Sequence, residues 1–378
     1  MAPRAKAATS PPNDPVEKNT GPEVSDINLD IPGKIADVTP GWLNAALRSP
    51  FPGANVASLK CESLHQGTAS TWRLNVEYAA DSASAPPVMC LKASLDLPHS
   101  DHLGAAGIYR KEAAVYRDIL PKTSVRAATC YAASFDSAGH AFVLLEDLTA
   151  AGGRFCGPDR PLTIQQVATG LEQLAGLHAV SWDDASLLEL QWAHHGRPLS
   201  DEDPFWAAYL AGFDDILKTP HAGAVAHVFN DAGMLADALT RLRQLDHATA
   251  ACLIHGDAHV GNFFVDRAGQ PGMADFQCVQ RGHFTHDLAM FIASALDVVD
   301  RRAHEQDLLR HYIAVIQRHG VSGVDFEDVW LGYRQHLVYS LVVWLLTTDR
   351  FQSELHLVTN VFRYGLAALD LDSLGALR

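Results

Sequence analysis

Two kinds of hydrophobic pattern divide this sequence, and their order limits the folds open to it. Strand-like segments lie between about residues 56 and 145, and Thr71–Tyr78 alternates polar and apolar residues without a break. Helical spacing dominates after Thr163, which forms a capping box with Gln166. Strands followed by helices predict an α+β protein, with a small β-rich lobe before a larger, mainly helical one.

Composition shifts suggest where the units of the chain begin and end. Residues 1–36 are rich in Pro, Asp, Asn, Glu and Ser and carry few large apolar residues, so we expect a flexible tail. The β-rich N-lobe is predicted over 37–148, with strands near 56–64, 71–78, 88–93 and 141–145 and a helix over 104–120. The helical C-lobe is predicted over 149–378.

Charge and cysteine usage exclude several classes of partner and compartment. The 29 Lys and Arg against 44 Asp and Glu give a net charge of −15, and without a basic cluster we expect no nucleic-acid partner. The six cysteines include no Cys-x-x-Cys pair, which is typical of free thiols in a reducing cytosol. The apolar stretch Leu341–Leu346 is far shorter than the ~20 residues of a membrane span. Since Arg4 and Lys6 are followed by no apolar signal region, we expect a cytoplasmic protein with no membrane partner.

The segment between Leu253 and Phe276 carries a group of oxygen-bearing side chains. Two apolar stretches, 262–265 and 273–276, flank a turn, and a hairpin centred near 268.5 would place Asn262 opposite Asp275. With Asp257 arriving from the preceding loop, two carboxylates and an amide would suit Mg²⁺ carrying a nucleotide. Alternatively, Asn262 and Asp275 only begin and end strands.

A second pair of charges occupies apolar surroundings. Glu112 shares a helical face with Ile108, Val115 and Ile119, and a carboxylate facing a core needs a cationic partner. Lys92, in an otherwise apolar strand, is the candidate. The alternative is a lysine at a strand edge and a glutamate that reaches solvent.

Histidines offer a rival interpretation of the same region. His255, Asp257 and His259, followed by His283 and His286, could ligate zinc in a metallohydrolase, because imidazole and carboxylate are common zinc ligands. However, 19 histidines are spread over the chain, so clustering by chance is easy.

Taken together, the motifs resemble a known superfamily. His-Gly-Asp at 255–257, Asn262 and Asp275-Phe276 resemble the catalytic and metal loops of protein kinases in the form used by aminoglycoside phosphotransferases. The strand leading into Glu146-Asp147-Leu148 and the helix end Leu174–Ala179 are similar to the ecdysteroid-kinase-like branch of small-molecule kinases. The resemblance extends from about Thr39 to the C-terminus.

This resemblance implies a bilobal protein-kinase-like fold that moves the γ-phosphoryl group of ATP, or GTP, to a hydroxyl of a small molecule. It implies Asp257 as the catalytic base or orienting group, Asn262 and Asp275 as ligands of Mg²⁺, and Lys92 with Glu112 at the phosphates. Backbone groups would hold the rest of the nucleotide, at Gly67, Thr68 and Ser70 over the phosphates and at Glu146 to Leu148 beside the base.

The resemblance leaves other questions open. Asp287 would brace the catalytic loop, although a carboxylate at a helix start is ordinarily a dipole partner. Gly67 is a single glycine, so its segment could also be a turn only. The acceptor pocket would come from about 180–235 and 326–365, and a catalytically silent kinase-like binding protein remains the second alternative to transfer.

Overall fold

The computed structural model describes residues 29–66, 69–82, 85–95, 107–188, 190–193, 211–249 and 251–378. Its first part is a five-stranded antiparallel sheet in the order β1-β2-β3-β5-β4. The strands are β1 (Val56–Gln66), β2 (Ser70–Tyr78), β3 (Val88–Ala93), β4 (Cys130–Phe135) and β5 (Ala141–Glu146). The predicted strands are present, and β4 is an addition that the sequence pattern did not indicate.

Helices cover both faces of this sheet. Helix α1 (Pro40–Leu47) is capped by Thr39, whose hydroxyl accepts a hydrogen bond from the Trp42 N–H at 3.2 Å. The helix packs on one face of the sheet through the Trp42 side chain. Helix α2 (Ile108–Ala114) continues through one π-helical turn, Val115–Ile119, and packs on the other face. In β3 every second side chain is buried, so Leu91 faces the α1 side and Lys92 faces the α2 side.

The packed part of the chain begins earlier than the sequence boundary at residue 37 suggested. Leu29, Ile31 and Ile35 pack against the apolar cluster beneath α1, and the Trp42 indole N–H donates to the Asp30 carbonyl at 2.9 Å. These few apolar residues stand in a polar composition, which is why composition alone assigned them to the tail. Residues 1–28 lie outside the described part of the chain.

The rest of the described chain is mainly helical. Its helices are α3 (Ile164–Val180), α4 (Ala185–Leu188), α5 (Phe213–Ile216), α6 (Ala232–Thr249), α7 (Thr285–Ala295), α8 (Val298–Arg318), α9 (Phe326–Leu346) and α10 (Glu354–Asp370). Its short strands are β6 (Arg154–Phe155), β7 (Cys252–Ile254), β8 (Phe263–Val265), β9 (Pro271–Met273) and β10 (Gln280–Gly282). Every residue of α7 is buried, so this helix is the centre of the helical core. The order of elements confirms the α+β, protein-kinase-like arrangement of a sheet followed by helices.

No helix in the described ranges is long and apolar enough to cross a membrane. All six cysteines are free thiols, as their spacing predicted.

Two glycines of α3 allow a direct test of how the core is packed. A methyl group on Gly170 would overlap the ring of Phe291 on α7, which stacks on Phe263 at 4.1 Å. At Gly176 the nearest atom to an added methyl is the Ser124 hydroxyl at 3.4 Å.

We therefore expect Gly170→Ala to lower the free energy of unfolding by about 1–3 kcal/mol through overpacking. The control Gly176→Ala should be neutral or stabilising by up to ~1 kcal/mol, because alanine favours helix. Urea unfolding of both variants measures the difference. Equal stability of the two variants would contradict the tight α3–α7 contact.

Candidate active site

Lys92 lies between two carboxylates that come from distant parts of the chain. Its Nζ is 2.7 Å from Glu112 Oε2 on α2 and 2.8 Å from Asp275 Oδ1 in the loop after β9. The pair expected between Lys92 and Glu112 is thus present, and Asp275 joins it. The lysine links the sheet, α2 and the helical part at one point.

Burial and charge act in opposite directions on these three groups. Burial pulls the pKa of Lys92 down, but the Asp275 and Glu112 carboxylates outweigh it and leave that pKa raised. Burial raises the pKa of Glu112, and the Lys92 charge only partly offsets it. Burial also acts to raise the pKa of Asp275, but Lys92 outweighs burial and leaves it lowered. Of the two carboxyl groups that contact Lys92, Glu112 is therefore the one that takes up a proton more readily.

These three side chains line a cavity of about 580 Å³ between the sheet and the helical part. Glu146 and Leu148, predicted beside a nucleotide base, line the same cavity, as does Asn262. The segment that joins the sheet to the helical part is held by Asp147. Its carboxylate accepts hydrogen bonds from Arg73 Nε at 2.6 Å and from the Thr149 hydroxyl at 2.6 Å.

The Arg73–Asp147 ion pair carries no signal in the sequence, although Arg73 stands in the alternating segment Thr71–Tyr78. The two residues are 74 positions apart, and only the sheet register brings them together. Arg73 pairs with Cys90 on β3, one strand away from the end of β5.

The loop between β7 and β8 carries Asp257 and Asn262. Asn262 Nδ2 donates to the Asp257 carbonyl at 2.7 Å and to Asp257 Oδ2 at 3.0 Å, which fixes the two side chains relative to each other. The Asp257 side chain keeps 30% of its surface exposed, so its carboxylate remains accessible to a ligand.

Asp287, on helix α7, anchors this loop. Its buried carboxylate accepts from the backbone N–H of His255 at 2.6 Å and of Gly256 at 3.0 Å, and His178 Nε2 donates to it at 3.0 Å. Gly256 has φ +79°, and an added Cβ there would collide with the Cys278 carbonyl, so the sharp turn requires glycine. Asp287 thus contacts the loop backbone directly, beyond a role as a helix-dipole partner.

The hairpin register differs from the sequence prediction by one residue. Phe263 pairs with Met273 and Val265 with Pro271, which places Asn262 opposite Ala274 instead of Asp275. The cause is the five-residue turn 266–270, whose Asp266 carboxylate accepts from two backbone N–H groups within it.

Asp275 nevertheless reaches the same cavity as Asn262. It has left the strand and takes the left-handed conformation, with φ 62° and ψ 65°. This conformation is costly for a residue other than glycine, by about 1–2 kcal/mol, and such strain is concentrated at functional sites.

The backbone contact expected between Ser70 and the phosphates stays a prediction, although the structure places this residue away from the cavity. Ser70 is fully buried, its hydroxyl donates to the Leu95 carbonyl at 2.6 Å, and it does not line the cavity. It begins β2, where strand pairing turns its side chain into the protein instead of toward the cleft. Gly67 and Thr68 lie outside the described residues.

The zinc alternative also gains no support, because the histidines are engaged elsewhere. His255 Nε2 donates to the Ala274 carbonyl at 3.0 Å, His259 Nδ1 accepts from the Gly261 N–H at 3.0 Å, and His286 Nε2 donates to the Gly256 carbonyl at 3.2 Å. His283 Nδ1 contacts the Thr285 hydroxyl at 2.7 Å. In the part of the chain that the structure describes, no three His, Cys, Asp or Glu side chains converge as metal ligands.

Comparisons with solved structures return small-molecule kinases at low identity. An ethanolamine kinase from Plasmodium vivax is 14% identical, with a TM-score of 0.49, covering 84% of this chain and 82% of that one. A choline kinase from Streptococcus pneumoniae is 14% identical, with a TM-score of 0.47, covering 88% and 98%. A spectinomycin phosphotransferase, solved with ADP and spectinomycin, is 13% identical, with a TM-score of 0.47 and the same coverage.

No curated protein matches the chain significantly by sequence. A family model does match, over residues 68–321, which includes Lys92, Glu112, the loop of Asp257 and Asn262, and Asp275. This match spans well over half of the chain, and the chain therefore belongs to the ecdysteroid kinase-like family.

Proposed function

We propose that this protein transfers the γ-phosphoryl group of ATP, or GTP, to a hydroxyl of a small molecule. The observation that carries the proposal is Lys92 held between Glu112 and Asp275 on the wall of a cavity of about 580 Å³. A buried lysine with two carboxylates is ready to exchange part of that contact for phosphate oxygens. Asp257 and Asn262 lie on one loop beside the same cavity.

The donor set supports Mg²⁺ at Asn262 and Asp275. Asn262 donates to Asp257 through Nδ2, so its amide oxygen is the atom left for a cation, and Asp275 contacts Lys92 through Oδ1. Mg²⁺ prefers oxygen ligands and usually keeps substrate phosphates among them. When bound, the ion would neutralise charge on the phosphate oxygens.

The remaining residues place the nucleotide and the acceptor. The backbone of Glu146 to Leu148 would hydrogen-bond the base, and that of Gly67 and Thr68 would cover the phosphates. Asp257 would orient the attacking hydroxyl and accept its proton, which is the task of a general base within hydrogen-bond reach. Phosphoryl transfer needs mostly positioning and charge neutralisation, so few further groups are required.

We further propose that the enzyme works in a reducing cytosol, which suits its six free thiols. Its partners would be a nucleotide and a small hydroxylated acceptor. Screening phosphorylation across a panel of hydroxylated metabolites with ATP and GTP is the most direct test. A panel without any phosphorylated product, together with tight MgATP binding, would favour the silent binding protein.

The first prediction concerns ligand binding. At a hundredfold excess over its Kd, MgATP should raise the free energy of unfolding by about 2.7 kcal/mol, which a rise in melting temperature would report. The zinc chelator 1,10-phenanthroline should leave the melting curve unchanged. Stoichiometric zinc in the purified protein, with activity lost on its removal, would favour the metallohydrolase.

The second prediction concerns Lys92. Lys92→Met should weaken MgATP binding at least tenfold, because it removes a buried cation from the wall of the cleft, about 1.4 kcal/mol or more. The variant should still fold, since Glu112 can take up a proton. Glu112→Ala should act in the same direction more mildly.

The pH dependence of Lys92→Met tests the same arrangement. A carboxyl group whose pKa is higher in the folded than in the unfolded state destabilises the fold as the pH rises from the unfolded to the folded pKa. Without the Lys92 charge, the effect of burial on the pKa of Glu112 is offset less, so this destabilisation is larger in the variant. The stability lost by the variant should therefore be larger at pH 8 than at pH 5. Lys60→Met, at an exposed lysine of β1, is the control. Unchanged binding and turnover in Lys92→Met would make the lysine only a strand residue.

The third prediction separates catalyst from binding module. Asp257→Asn keeps the shape but removes the basic group, so turnover should drop by ~10²-fold or more while MgATP affinity stays within a few-fold. Asp275→Asn should also weaken magnesium-dependent nucleotide binding. Asp328→Asn, at an exposed position in the first turn of α9, is the matched control. Equal turnover of wild type and Asp257→Asn, on an acceptor verified to be phosphorylated, would remove Asp257 from the mechanism.

A further inference from the structure

The His259 ring, on the same loop as Asp257, is held in place by its neighbours. Its Nδ1 accepts from the Gly261 N–H at 3.0 Å, and its ring meets Trp344 of α9 edge to face, with centroids 5.0 Å apart. A Cβ on Gly261 would come within 2.6 Å of His259 Cε1, so the ring occupies the space that this glycine leaves. The side chain keeps only 7% of its surface exposed. The His259 ring is therefore held on two sides, by the Gly261 backbone and by Trp344.

These contacts decide where the ring carries its proton. A nitrogen that accepts from a backbone N–H has its lone pair directed at that group, so the neutral ring has its hydrogen on Nε2. His259 thus presents one fixed N–H donor.

That donor lies close enough to Asp257 for one oxygen atom, placed to the side of the line between them, to contact both groups. Nε2 is 3.8 Å from Asp257 Oδ2, too far for a direct hydrogen bond. An oxygen atom at ~2.8 Å from both would complete two hydrogen bonds at normal length. The buried indole N–H of Trp344, whose ring contacts His259, also has no acceptor among the described residues. The His259–Trp344 pair therefore offers hydrogen-bond donors and no acceptor.

We propose that His259 Nε2–H and Asp257 Oδ2 together bind the acceptor hydroxyl, and that this pair selects alcohols over amines. A hydroxyl can donate to Asp257 while accepting from His259. An ammonium group has three donors and no acceptor, so it would face the His259 N–H without a hydrogen bond. The inference rests on the proposed phosphotransferase function and extends it to the chemical class of the acceptor.

In the transfer step His259 keeps its proton. The acceptor oxygen forms a bond to the γ-phosphorus, and the bond from that phosphorus to the β,γ-bridging oxygen breaks. The nucleoside diphosphate leaves with that electron pair, and the hydroxyl proton passes to Asp257 Oδ2. His259 holds the oxygen in line during this exchange and supplies neither a proton nor an electron pair.

The first test examines the tautomer without any turnover. Nitrogen NMR of the full-length protein labelled at its histidine nitrogens, with His259 assigned by loss of its signals in His259→Gln, should show the proton on Nε2. In the MgATP complex, the Nε2 signal should shift on titration with 1,3-propanediol and not with 1,3-diaminopropane. A proton on Nδ1, or no shift with the diol, would overturn the inference even if the enzyme is an active kinase.

The second test uses turnover. His259→Leu removes the donor, whereas His259→Gln keeps an N–H near the Nε2 position. We expect ADP release with 1,3-propanediol to fall roughly tenfold in His259→Leu, the loss of about one hydrogen bond, and to be partly restored in His259→Gln. MgATP affinity should stay within a few-fold in both variants, and His311→Leu, at a half-exposed histidine of α8, should match wild type.

The outcomes separate this inference from the proposed function. Equal ADP release by His259→Leu, His259→Gln and wild type, or the diamine serving as well as the diol, would overturn the role of His259 alone. A wild-type protein that binds MgATP but phosphorylates no member of the panel of hydroxylated metabolites would count against the proposed function. The NMR result would then still decide whether the His259–Asp257 pair binds a hydroxyl.

Discussion

The carboxylate of Asp287 is the interaction on which the candidate site depends. It is fully buried, yet it receives hydrogen bonds from two backbone N–H groups of the Asp257 loop and from His178. His178 in turn contacts the Tyr312 hydroxyl at 2.8 Å, so the carboxylate joins α7 to α3 directly and to α8 through His178. A buried charge is tolerated only when it is satisfied in this way. The loop is consequently positioned by the most deeply packed part of the protein, and the burial of α7 determines where Asp257, His259 and Asn262 lie.

Most features that neighbouring residues determine could be predicted from the sequence, whereas most features that depend on residues far apart in the chain could not. Alternation, helical spacing and capping boxes are local, and they located most strands and helices, as well as the Lys92 and Glu112 positions. Strand β4 was not predicted because Tyr131, Ala132 and Ala133 are all buried, so the segment shows no alternation of polar and apolar residues. Alanine also has little preference for strands. The hairpin register escaped because the Asp266 side chain sets the turn length. The Arg73–Asp147 contact depends on the order of strands, which no local pattern contains.

The loop 255–262 carries groups that serve two sides of the site. Asn262 and Gly261 line the nucleotide-sized cavity, whereas His259 contacts Trp344 of α9. Asp257 stands between them, in hydrogen-bond contact with Asn262 and 3.8 Å from His259. Because eight consecutive residues provide both sides, their spacing is fixed by one short backbone segment instead of by the relative placement of two lobes.

The burial of the thiols has a chemical consequence for a protein with six free cysteines. Burial first, then the nearby Asp147 charge, raises the pKa of Cys90, which lines the cavity, to about 12. Burial likewise raises the pKa of Cys61, Cys130, Cys156, Cys252 and Cys278. Since the thiolate is the reactive form, burial leaves Cys90 almost entirely as the unreactive thiol at pH 7. Peroxide, disulfides and electrophilic drugs should therefore react slowly with the Cys90 thiol. The cleft should keep its thiol unmodified whatever the redox state of its surroundings.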